Sequence, residues 1–179
     1  MSQQHPINQI LEDWNRLDLE DATEAILPCN GSHVWATLIA YNRPFATATD
    51  LLAISDNIWQ SLPEEDWQQA FDSHPRIGEH KAKAATEQSL EWSSGEQSAA
   101  QLTEDIQAAL AAANREYEAK FGRIFIVCAT GKTAAEMLAI LQKRLANDPQ
   151  TEVQEAAEQQ RLITQIRLRK WLQVPQETK

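Results

Sequence analysis

The chain has 179 residues, with 16 Lys+Arg against 26 Asp+Glu for a formal net charge of −10, 42% hydrophobic residues and 23% charged ones. That length suits one domain with a core able to stand without metals or disulfides, and the composition excludes an extended disordered chain and a membrane-embedded one. The negative field, with no basic run interleaved with aromatics, argues against nucleic acid and anionic membranes as partners, while a few cations focused in one cleft still allow a small anionic substrate.

Only five glycines, among many Ala, Gln, Glu and Leu, point to helix. Ile7, Ile10, Leu11, Trp14 and Leu17 form one apolar face, and Val34, Leu38 and Tyr41 form another that ends before Pro44. Thr47 with Asp50 makes a capping pair ahead of Leu51, Leu52, Ser55, Ile58, Trp59 and Leu62, and Pro63 fits a first-turn proline ahead of Trp67, Ala70 and Phe71. Capping boxes at Ser93 to Glu96, Thr133 to Glu136 and Thr151 to Gln154 each open a further helix. The longest helix buries Leu102, Ile106, Leu110, Ala113, Tyr117 and Phe121 and stops at Gly122, a suitable left-handed cap. A helix from 134 to about 145 buries Met137, Leu138, Leu141 and Leu145, and the last runs from about 152 to 172. The strand-like run Ile124, Phe125, Ile126, Val127, Cys128, Ala129 has nothing comparable to pair with and reads as a buried extended connector. The expectation is an all-α, single-domain bundle of about seven to nine helices spanning 1–179, with flexible ends at about 1–6 and 174–179.

Cys29 and Cys128 are too few for a disulfide framework and lack zinc spacing, which fits a reducing compartment. The start MSQQHPINQI lacks the basic and apolar regions of a signal peptide, no apolar run spans a membrane, and VPQETK is not a peroxisomal Ser-Lys-Leu address. A cytoplasmic location is expected.

Four segments can carry chemistry. Gly131, Lys132 and Thr133 after the apolar run imitate a phosphate-binding loop, but the glycine that such a loop needs five residues earlier is Ile126, so a polar turn capped by Thr133 is the better reading. His74 follows the end of a helix and precedes Pro75, which holds it in a turn where its ring can face a cleft and serve proton transfer, or can be a surface or capping residue. Glu96 suits a capping box, and helix-terminal amides there can also bind an anion. Arg167 borders the apolar face of the last helix, where an arginine can clamp an anion or belong to a solvated face; Arg161, Arg169 and Lys170 lie on the same helix. A metal site at His74 and His80, six apart with Glu79 beside His80, lacks the His-x-x-x-His helical spacing and a third fixed ligand. A Cys128–His74 nucleophile pair is disfavoured by the apolar neighbours of the thiol.

Five motifs occur in order: Leu62-Pro63-x-x-x-Trp67; Ser73-His74-Pro75-Arg76-Ile77-Gly78; Trp92-Ser93-x-x-Glu96-Gln97; Tyr117-x-x-x-Phe121-Gly122-x-x-Phe125-Ile126-Val127-Cys128-Ala129; and Gly131-Lys132-Thr133-x-x-Glu136-Met137-Leu138. Together they resemble the OHCU decarboxylase family, which acts on 2-oxo-4-hydroxy-4-carboxy-5-ureidoimidazoline in urate degradation. The resemblance implies a carboxy-lyase without cofactor or metal that makes (S)-allantoin as an all-helical homodimer. It assigns His74, Glu96 and Arg167 as catalytic residues, with Arg161 the alternative arginine. It assigns Pro75, Ser93, Ser94, Gly95, Gln97, Phe125, Ile126, Val127, Cys128 and Ala129 to substrate binding, the connector through its main chain. Glu96 lies 22 residues after His74, which suggests a loop insertion around 81–90, and Arg76 and Glu79 replace the Asp and Gly that many relatives carry. The rival reading is an all-α interaction module, in which His74→Ala leaves function intact; a second is a metal-dependent helical hydrolase, sensitive to chelator.

Overall fold

The structure, a computed structural model, describes residues 8–77, 92 and 104–176. Among these the chain forms eight α-helices and one 3-10 turn and no strand: α1 (Gln9–Asn15), α2 (Leu19–Ile26), η1 (Leu27–Cys29), α3 (His33–Tyr41), α4 (Ala48–Ser61), α5 (Glu64–Asp72), α6 (Glu104–Phe121), α7 (Ala134–Arg144) and α8 (Pro149–Trp171). The all-α expectation holds. The expected residues 1–6, the Ser93 capping box and the 81–90 loop lie outside the described residues.

Helix starts follow side-chain capping. Thr47–Asp50 and Thr133–Glu136 are reciprocal boxes, each side chain taking the other residue's main-chain N–H. Helix α8 starts earlier than the Thr151 box implies. Asp148 is its N-cap, accepting from the Thr151 amide and hydroxyl, and Pro149 fills the first turn, so Thr151 is a donor inside the helix. Pro63 is the residue before α5 rather than inside its first turn. Gly122, at φ +70°, ends α6 as expected.

Two faces differ from the sequence expectation. The α1 face stops at Trp14, because Asp18 accepts the Asp21 amide and begins α2, a helix that the apolar pattern did not predict; Leu17 is left exposed between them. In α3 the buried side is Trp35, Ala36, Ile39 and Ala40, whereas Val34, Leu38 and Tyr41 face outward, Tyr41 at 67% exposure. Both stripes of this helix are apolar, so periodicity alone does not choose between them.

The core has two parts, and the connector is the seam. Ile126 and Cys128 join the larger cluster with α1 to α5, η1 and α8, while Phe125, Val127 and Ala129 join the smaller one with α6 and α7. An extended chain sends alternate side chains to opposite faces, so these residues bury both ways without a sheet partner. A buried polar network fixes the segment. Arg144 donates to the Ile126 carbonyl at 2.6 Å and to Glu152 Oε1 at 2.9 and 2.5 Å, and Glu152 also accepts from Tyr117 and, at 2.9 Å, from Asn147. Its long helix α8 packs against η1, α4 and α5 and so carries the central polar side chains past the end of α5. After α8, Val174 donates its N–H to the Arg169 carbonyl, and Gln176 reaches back to Ile166.

Candidate active site

The site begins where α5 ends. Ser73 and His74 donate their amides to Ala70 and Phe71 at 3.1 Å, the Ser73 hydroxyl donates to Ala70 at 2.6 Å, and Pro75 prevents another turn. Against this corner lies Gly31. Its φ is +99°, and a Cβ there would sit 2.3 Å from Ser73 Oγ and 2.6 Å from Ser73 Cβ, so both the backbone and the space require glycine. Beyond Pro75, Arg76 forms a two-pronged pair with Glu118 of α6, one prong at 2.8 Å, which ties the departing chain to the other half of the core.

Pro75 is buried with the His74 ring, and His74 Nε2 lies 2.7 Å from Gln160 Oε1 of α8. The Gln160 amide also reaches the Asn30 carbonyl and Thr164 Oγ1, both at 3.3 Å, and Asn30 Nδ2 donates to Thr164 Oγ1 at 3.0 Å. One turn further along α8, Arg167 is fully buried; it donates to the Pro28 carbonyl at 3.4 Å, and its guanidinium stands 6.0 Å from the Trp92 ring centre. The electrostatics follow from that burial. Desolvation, then the Arg167 charge, push His74 down to about 3, against a smaller opposite effect of the Gln160 bond. Burial pushes the Cys29 thiol well above its usual range, Arg167 only partly offsetting it. A neutral imidazole therefore stands near a buried arginine, which suits an anionic group on a ligand; the arginine charge lowers the basicity of the ring, and an anion bound to the arginine would offset that effect.

Of the expected residues, the structure brings His74, Pro75 and Arg167 to one corner, with Trp92 beside the arginine. Phe125, Ile126, Val127, Cys128 and Ala129 form the buried extended connector, next to α8: the Cys128 amide donates to Gln159 at 2.9 Å, and the Cys128 carbonyl accepts from Lys132 at 2.8 Å. That lysine bond, with Thr133 capping α7, accounts for the Gly131-Lys132-Thr133 turn. Ser93, Ser94, Gly95, Glu96 and Gln97 lie outside the described residues, as do Glu79 and His80. Arg161 points elsewhere. It is held by Glu158 at 2.7 and 2.8 Å and by Asp56 at 2.8 Å, and it lines a cavity of about 760 Å³ whose lining does not include His74.

Asn30, Gly31, Gln160 and Thr164 were not singled out from sequence. One signal was available: Gln160, Thr164 and Arg167 recur at i, i+4 and i+7, a polar line on one face of a helix whose same side carries Ala156, Ile163 and Leu168.

Comparison with known proteins identifies the family. Residues 15–169 match the family described as OHCU decarboxylase. The chain is 33% identical to the 2-oxo-4-hydroxy-4-carboxy-5-ureidoimidazoline decarboxylase of Amia calva, covering 83% of this chain and 82% of that protein. It is 35% identical to the uric acid degradation bifunctional protein TTL of Arabidopsis thaliana over 79% of this chain, and spans only 44% of that longer protein. A crystal structure of OHCU decarboxylase in the presence of (S)-allantoin superposes with a TM-score of 0.72 at 34% identity, covering 82% of this chain and 96% of that one. A match that runs from the end of α1 almost to the end of α8, His74 and Arg167 included, places the chain in the OHCU decarboxylase family.

Proposed function

We propose that the protein is a carboxy-lyase that converts 2-oxo-4-hydroxy-4-carboxy-5-ureidoimidazoline to (S)-allantoin in urate degradation, with His74, Glu96 and Arg167 as its catalytic residues. The observation that carries the reading is the buried, uncharged His74 anchored to Gln160 close to the buried Arg167 cation, within the fold of this family. As the bond to the carboxylate breaks and CO₂ leaves, its electron pair passes into the ring, where the adjacent C=N accepts it. The substrate is thus its own electron sink, and no pyridoxal or thiamine is needed. His74 takes the ring hydroxyl proton as the ring carbonyl forms, Arg167 orients an anionic or carbonyl group, and Glu96 is the partner acid by its place in the family motif. Delivery of a proton to one face of the ureido-bearing carbon sets the S configuration. Ser93, Ser94, Gly95, Gln97 and Pro75 enclose the substrate, and the connector 125–129 offers main-chain groups to it.

The test generates the substrate in situ from urate with the two preceding enzymes and follows its absorbance. Loss much faster than in buffer is expected; loss at the buffer rate would contradict the assignment.

We further propose a cytoplasmic homodimer. Cys29 and Cys128 are buried and stand outside any disulfide, which fits a reducing compartment. No helix among the described residues is long and apolar enough to cross a membrane. The large apolar side chains exposed among the described residues are Leu17, Val34, Leu38 and Tyr41, three of them on α3. That helix has no Asp, Glu, Lys or Arg in a chain of net charge −10, so two copies can meet there without like-charge repulsion. Sedimentation of a dimer that Leu38→Glu converts to monomer supports this contact; a wild-type monomer contradicts it.

A further inference from the structure

A hydrogen-bond chain that starts from an unambiguous donor fixes the side-chain amides of Asn30 and Gln160. The Ser32 main-chain N–H, which can only donate, lies 3.1 Å from Asn30 Oδ1, so Asn30 Nδ2 is the group that faces Thr164 Oγ1 at 3.0 Å. Thr164 has one hydroxyl proton, and the main-chain carbonyl of Gln160, an acceptor only, takes it at 2.9 Å. Thr164 Oγ1 therefore accepts from its other neighbours. The Gln160 side-chain atom 3.3 Å from it also lies 3.3 Å from the Asn30 carbonyl, a second pure acceptor, and must be the NH₂ group. The atom 2.7 Å from His74 Nε2 is then the Gln160 oxygen, which can only accept.

We propose that Gln160 is a positioning residue that holds the His74 proton on Nε2 and leaves Nδ1 as the ring's lone pair for the substrate; this rests on the reading of His74 as the base. The other neutral tautomer would set two lone pairs against each other across 2.7 Å. Burial and the Arg167 charge disfavour the third possibility, the doubly protonated ring. Gln160 is itself buried and tied at both ends of its amide, so the oxygen cannot turn away without stranding the Asn30 carbonyl. The nitrogen left for the substrate is thereby specified by residues from the turn after η1 and from α8, none of which needs to touch substrate.

The test is a long-range ¹H–¹⁵N correlation of ring-labelled protein at neutral pH, with His74 assigned by its loss in His74→Ala, read beside turnover. The wild type is expected to show the Nε2–H pattern. Gln160→Met, similar in volume but without the acceptor, is expected to populate both tautomers and to lose about 10- to 100-fold in kcat, the loss typical when the partner that orients a metal-bound imidazole is removed. Gln160→Glu keeps an acceptor beside Nε2 but loses the NH₂ group and adds a charge that favours the doubly protonated ring, so it is expected to keep a proton on Nε2 and to recover only part of the turnover. An Nδ1–H pattern in the wild type overturns the proposal, even if Gln160→Met does not fold. So does a Gln160→Met enzyme as fast as wild type while His74→Ala is inactive. Undiminished turnover by His74→Ala instead removes the base reading, and the proposal with it.

Discussion

His74 titrates at about 3 in the folded protein against an ordinary value of 6.5, so between those values the unfolded chain binds a proton that the native state refuses. Its contribution is fully present above about pH 6.5 and is lost progressively as the pH falls towards 3. Lowering the pH from 7.5 to 5.0 multiplies the weight of the unfolded state by about thirty, which is about 2 kcal/mol. The side chain is nearly inaccessible, 9% exposed, so solvent screening removes little of this. The carboxylates held low by hydrogen bonds, Glu136, Asp148 and Glu158, lose their own contributions only below their ordinary values of 3.8 to 4.5, and they are common to both proteins compared. Urea unfolding of the wild type and His74→Gln at the two pH values, at one protein concentration, isolates the histidine. The wild type is expected to lose about 2 kcal/mol more than the variant between pH 7.5 and 5.0. Equal losses would mean that His74 protonates in the native state at an ordinary pH, and the picture of a neutral imidazole beside a buried cation would be wrong.

Other substitutions probe the supports of the site. Gly31→Ala combines a positive φ with contact inside van der Waals distance of Ser73 and is expected to cost about 2–5 kcal/mol in urea unfolding and to slow turnover, whereas Gly122→Ala, with open space around it, costs about 1–2 kcal/mol and leaves turnover intact. Equal effects at the two glycines would refute the packing argument. Glu152→Gln leaves the buried Arg144 cation without its counter-charge and is expected to destabilise by about 3–5 kcal/mol, measured by the same unfolding curves; a change under about 1 kcal/mol would show that Arg144 finds water or another partner. Arg167→Met is expected to lower kcat by about 100-fold or more, while Arg161→Met, whose arginine serves Asp56 and Glu158, stays within about threefold of wild type. The reverse order would assign the functional role to Arg161.

What the sequence disclosed was whatever its physics keeps local. Thr47 with Asp50 and Thr133 with Glu136 are caps because a side chain meets an amide three residues away, and neither needs the rest of the fold. The connector was legible as an apolar run with no second strand, and Pro75 alone places His74 in a turn. Where local signals compete, spacing alone does not decide between them. Asp148 and Thr151 both look like caps before α8, and Pro149 decides for the first; α3 offers an apolar stripe on each side, and only the rest of the fold chooses Trp35 and Ile39. In the site, Arg167 was visible as an arginine bordering an apolar face, but its complete burial was not. For Gln160 the sequence offers only its place on a polar line with Thr164 and Arg167, because what makes a buried glutamine functional is its partners, Asn30 and His74, which are 130 and 86 residues away along the chain.

Everything in the mechanism turns on His74 as the base that takes the ring hydroxyl proton when the ureidoimidazoline is decarboxylated. The measurement that meets it most directly is the circular dichroism of allantoin formed from substrate generated in situ, with wild type and His74→Ala at matched concentration and matched far-ultraviolet spectra. Rapid, wholly S product is expected from the wild type, and from His74→Ala only the slow racemic product of the spontaneous reaction. Rapid formation of S-allantoin by a folded His74→Ala protein would contradict it.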